Sequence, residues 1–96
     1  MSKTPELDAY IDEIDWDKCP EHIREGMKNY IINHISTGGF LHAVLVNDLF
    51  SAVGRADDIN KVQLHEIIRF IYNHLPTSSY GSQERYIEWL RNRRED

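Results

Sequence analysis

STGGFLHAVLVNDLFSAVGRADDIN, residues 36–60, decides the fold. Gly38-Gly39 in front and Gly54 behind bracket residues 40–53, and glycine suits a helix end because it takes left-handed backbone angles without a Cβ clash. At a helical turn of 100° per residue, Leu41, Val44, Leu45, Val46, Leu49, Phe50, Ala52 and Val53 point in nearly every direction around the axis. A helix apolar on all sides is one covered by its neighbours. The stretch therefore predicts a central helix over about residues 40–53, wrapped by the rest of the chain. Asp48 falls between Val44 and Leu41 on that wheel, in apolar territory. A buried carboxylate needs partners, and Arg55, Arg69 or the N-terminus of another helix are the candidates. Asp48 then reads either as an internal polar clamp fixing helix register or as an acid facing a ligand, and Asn47 invites the same two readings.

The flanking segments supply the wrapping. Leu7, Tyr10, Ile11 and Ile14 recur at i, i+3, i+4, i+7, the stripe of a short helix, and Trp16 is placed to anchor it onto the core. Pro20 suits the first turn of a second helix, whose apolar stripe is Ile23, Met27, Tyr30, Ile31 and Ile35. Gly26 on that helix gives room for another helix to approach. Asp57 or Asp58 caps a long helix running to about Leu75 through Leu64, Ile67, Ile68 and Ile71, and Pro76 stops it. After the loop from Pro76 to Gly81, Ser82 caps a last helix carrying Tyr86, Ile87, Trp89 and Leu90. The reading is all-α: a compact bundle of four main helices plus a short N-terminal acidic helix. It forms one domain over residues 1–96, with an acidic arm at 1–18 and a helical core at 19–92.

The net charge of −5 is unevenly spread. Residues 1–21 carry two basic and seven acidic side chains, whereas residues 22–96 balance nine against nine. A negative field on the N-terminal segment repels phosphate backbones and attracts a basic protein surface, which disfavours double-stranded nucleic acid; as a bare charge run it reads equally as a solvated face. The last helix adds Arg85, Arg91, Arg93 and Arg94, offset by Glu84, Glu88, Glu95 and Asp96. No apolar run reaches the roughly 18 residues of a membrane span, and the acidic start has no apolar signal core. Cys19 is the single cysteine, so no internal disulfide forms, and a reducing cytoplasm fits.

Catalytic signatures are missing from the sequence. His22, His34, His42, His65 and His74 include no pair at the i, i+3 or i, i+4 spacing of a zinc site, and no nucleophile elbow or Cys-His signature surrounds the serines or Cys19. Neither enzyme activity, a metal nor a cofactor is expected. Two weak anion sites remain, at Gly38-Gly39 and at Gly81-Ser82, where free N–H groups and a helix dipole converge. Arg55, Asn47, Asn73 and Tyr80 complete a candidate ligand set with Gly38, Gly39 and Ser82. The competing reading of both glycine sites is a plain turn.

The series Pro20-Glu21-His22-Ile23-Arg24-Glu25-Gly26-Met27, Gly38-Gly39-Phe40-Leu41, Ala43-Val44-Leu45-Val46-Asn47-Asp48-Leu49, Gly54-Arg55-Ala56-Asp57, Phe70-Ile71-Tyr72-Asn73, then Gly81-Ser82 before Trp89-Leu90 resembles a group of short phage and prophage proteins. The resemblance covers about residues 20–90 and leaves the acidic arm outside. It implies a small soluble protein acting in the cytoplasm of an infected or lysogenic bacterial cell and binding a defence effector, a nucleotide alarm signal or a host enzyme. The resulting expectation is a non-catalytic inhibitor of a host factor, serving counter-defence, with Asp8, Asp12, Glu13, Asp15 and Asp17 facing a basic partner surface. The alternative is a nucleotide sponge. A chain this small carrying Trp16, Tyr80, Tyr86 and Trp89 is also expected to leave aromatic surface uncovered, which leaves room for a homodimer.

Overall fold

The computed structural model describes residues 5–92, and every regular element among them is helical: α1 (Pro5–Asp12), α2 (Glu21–Asn33), α3 (Gly39–Leu45), α4 (Leu49–Arg55), α5 (Asp58–His74) and α6 (Gln83–Arg91), with short 3-10 turns at Trp16–Lys18 and Thr77–Ser79. The all-helical expectation holds. The single helix over residues 40–53 does not, because the chain breaks at residues 46–48.

That break has a local cause. Asn47 is left-handed, at φ 66°. Its N–H donates to the Val44 carbonyl (3.1 Å), and the Asp48 N–H reaches back to the Ala43 carbonyl (2.8 Å). This is the paired closing pattern of a helix C-terminus, with asparagine in the place glycine usually takes. Asp48 then starts α4, its carboxylate accepting from the Ser51 N–H at 3.2 Å, a cap that stabilises a helix by about 1 kcal/mol. Asp48 is therefore exposed rather than tied up inside. Hydrogen bonds from Ser51, side chain and backbone, hold its carboxyl below the usual carboxylate range, and Arg55 adds a smaller pull. Its role is structural and polar, at the surface.

Two smaller boundaries also shift. Pro20 precedes α2 as its cap residue, and the helix proper starts at Glu21. At the other end His34 is left-handed (φ 57°) and stops α2, so Ile35 leaves the stripe and lies exposed. The caps at Asp57, accepting from the Asn60 N–H, and at Ser82, accepting from the Arg85 N–H, stand where the sequence put them. Gly26 faces the Leu41 side chain, where an added Cβ would stand 3.7 Å from Cδ1. α2 and α3 thus approach closely there.

The core gathers α2, α3, α5 and α6 around Met27, Tyr30, Ile31, Leu45, Ile67, Phe70, Leu75 and Trp89. Its polar atoms are laced between elements. The Trp89 indole N–H donates to the Tyr30 carbonyl (2.9 Å), and the His34 Nδ1–H donates to the Trp89 carbonyl (2.6 Å). The Tyr30 hydroxyl donates to the Ser79 carbonyl at 2.8 Å. Tyr30 and Tyr86 stack at 5.1 Å, and Tyr86 stacks on His42 at 4.4 Å. Buried polar groups satisfied in this way fix which helix faces which. The radius of gyration, 12.9 Å, matches the roughly 13 Å of a compact chain of about 100 residues. Among the described residues, no helix is long and apolar enough to cross a membrane.

Candidate functional site

Because α4 leaves the axis of α3, it exposes a face that a continuous buried helix would have hidden. α5 follows α4, with Ala56 and Asp57 between them, and α4 packs chiefly on α3. Ala52 and Ala56 turn inward, while Leu49, Phe50 and Val53 turn out. Phe50 is 90% exposed, the most exposed of the large apolar side chains among the described residues. An apolar groove of about 260 Å³ runs between α3, α4 and α5, lined by Leu49, Ala52, Leu64, Ile68, Ile71 and Tyr72 together with Asn47, Asp48 and Tyr80. The Tyr80 hydroxyl is raised above its usual pKa by burial and then by Tyr72 and Tyr10, with Arg85 pulling the other way.

A second, more polar concavity of about 200 Å³ lies on the other side of α4, with Gly39, His42, Ser51, Arg55 and Gln83 around it. The Arg55 guanidinium lies over the start of α3: a Cβ on Gly39 would stand 2.8 Å from its Nη1. The His42 Nε2–H donates to the Gln83 Oε1 at 2.8 Å. Asp48 touches this concavity as well, so its carboxylate opposes an anion there.

The candidate ligand set is thus divided. Gly39 and Arg55 share the polar concavity, while Asn47 and Tyr80 line the apolar groove. Gly38 is exposed, and Asn73 lies exposed on α5 away from both. Ser82 is engaged as the cap of α6, accepting from the Arg85 N–H at 3.1 Å. Gly81, at φ 114°, is a position that needs glycine, and the Arg85 guanidinium spans the loop by donating to the Thr77 and Tyr80 carbonyls.

The acidic segment is fixed to the body. Ile11, Ile14 and Cys19 are buried, and Trp16 packs on Phe70 with centroids 5.6 Å apart. Asp12, Glu13 and Asp17 are exposed, Asp8 is half-buried, and Asp15 caps the 3-10 turn by accepting from the Asp17 N–H. No ion pair among the described residues involves Asp12, Glu13, Asp15 or Asp17. Also among the described residues, no three His, Cys, Asp or Glu side chains gather as a metal site would require.

What the sequence does not disclose is the exposed face itself: its apolar pattern puts Leu49, Phe50 and Val53 on a buried rod. One signal is present. Asn47-Asp48 followed by Ser51 combines a residue tolerant of left-handed angles with a residue suited to capping, and that pair splits a helix into two. Comparison of the chain with protein-family models, with curated proteins and with solved structures returns no match.

Proposed function

We propose that the chain is a non-catalytic binding protein of phage type that inhibits a host factor in counter-defence, by laying a fixed acidic surface against a basic one. One observation carries this reading. Asp12, Glu13, Asp15 and Asp17 project from a segment pinned by Ile11, Ile14 and Trp16, so the charges are presented by a rigid body and little ordering is lost on docking. Such surfaces act through electrostatic complementarity and fast, salt-sensitive association. The test is the triple variant Asp12→Lys, Glu13→Lys, Asp17→Lys, which spares the Asp15 cap and half-buried Asp8. A host protein retained on the immobilised wild-type chain is lost from the variant, with affinity down by at least about a hundredfold and with the fall in affinity at high salt removed. Equal affinity for the two chains refutes the reading.

A nucleotide sponge is the second reading. It is favoured by the Arg55 guanidinium lying over the start of α3. A bound mono-, di- or cyclic nucleotide raises the melting temperature, since ligand held by the native state alone stabilises it by about 2.7 kcal/mol at a hundred times its Kd. Arg55→Ala abolishes that rise. An unchanged melting temperature at millimolar nucleotide removes this reading.

A further inference from the structure

The apolar face formed by side chains of α4 and α5 lies outside both readings. We propose that its occupant is a second copy of this chain, the two related by a two-fold axis, with Phe50 of each copy seated in the groove of the other.

Size is the first support. Leu49, Phe50 and Val53 on α4 with Ile68 and Tyr72 on α5 are 57%, 90%, 47%, 43% and 75% exposed. Together they leave roughly 600–700 Å² of side chain uncovered, above what monomeric surfaces usually show. A stable interface of standard size takes about 800 Å² from each partner. The patch with its polar rim therefore meets the need of a dimer.

Shape is the second. Phe50 stands out next to Leu49, which lines the groove, and does not itself line it, so it is free to enter the groove of a partner. The groove, about 260 Å³, exceeds the roughly 150 Å³ apolar cavity that accepts a benzene ring. A two-fold axis between Phe50 and the groove makes both insertions at once, and the contact closes on itself instead of propagating.

Sedimentation equilibrium of the full chain, from low to high micromolar concentration, tests this. The wild type is expected at twice the 11.3 kDa of the chain. Phe50→Glu and Tyr72→Lys each weaken self-association by at least about tenfold, the scale of a central aromatic anchor. Since Phe50 is almost wholly exposed, Phe50→Glu keeps the helical circular-dichroism spectrum. The triple carboxylate variant stays dimeric, which separates this test from that of the host partner. A wild type that sediments as a monomer at every concentration overturns the proposal and gives the face to a foreign partner. A dimer that Phe50→Glu and Tyr72→Lys leave as tight as the wild type overturns it too, by placing the interface elsewhere.

Discussion

Trp89→Ala is expected to lower the free energy of unfolding by about 3–5 kcal/mol, a large part of the about 5–15 kcal/mol that a domain commands. Trp89 is 1% exposed and packs against Tyr30 and His34, with ring centroids 6.4 and 4.9 Å away. Truncation removes the largest fully buried side chain and opens a cavity where α2 and α6 meet. Trp89→Phe separates packing from hydrogen bonding. It keeps a ring in place and loses the donor to the Tyr30 carbonyl, but that carbonyl also accepts from the His34 N–H at 3.1 Å and is not left bare. Its loss as a hydrogen bond is therefore about 1 kcal/mol. Urea unfolding followed by circular dichroism measures both. An alanine variant within about 1 kcal/mol of the wild type would show that the two helices are not held there.

Cys19 gives the second large effect. It is buried, and burial pushes its thiol up to about 11 from its usual 9.0, against a smaller downward pull from Arg24. In the native chain the thiol stays protonated and out of reach of reagents. Alkylation at pH 8 is expected to run at least about a thousandfold slower than in denaturant, since reaction requires opening. Labelling as fast in buffer as in urea would mean that the segment before α2 is not closed on the core. The same shift fixes a pH dependence. Above about 9 the unfolded thiol loses its proton while the native one keeps it until about 11. The native state then binds more protons, so stability is full below pH 9 and falls as pH rises through 11. Burial first, and Tyr86 second, raise the Tyr30 hydroxyl as well, which continues the fall above pH 10. Cys19→Ala should flatten the first part of the decline in melting temperature and leave the second. Parallel curves for the two chains would refute the thiol's share.

The parts of the fold legible in the sequence are those written in local chemistry. Asp57 and Ser82 cap because a short polar side chain precedes a periodic apolar run, and Pro76 stops α5 because it denies helical angles to Leu75. The stripe of α2 and the packing of Trp16 were legible for the same reason. Residues 40–53 were not, since an apolar residue in every direction fits a buried rod and fits equally two short helices that bury different faces. Only the backbone angle of Asn47 separates the two, and asparagine is tolerant of that angle without requiring it. Asp48 followed: on a continuous helix it is enclosed, on a broken one it is a cap. The ligand set scattered because it joined glycine turns distant in sequence, and sequence alone does not state which turns meet in space.

Trp16 and Trp89, the two tryptophans of the chain, sit at different depths. Trp89 lies in an apolar interior with its N–H on a carbonyl, while Trp16 is half-buried at the rim against Phe70. The intrinsic fluorescence is therefore the sum of two emitters in unlike surroundings, one blue-shifted by its dry setting and one near water. Peeling of the N-terminal segment alone reddens one emitter and spares the other, so the emission spectrum distinguishes partial detachment from global melting without an added dye.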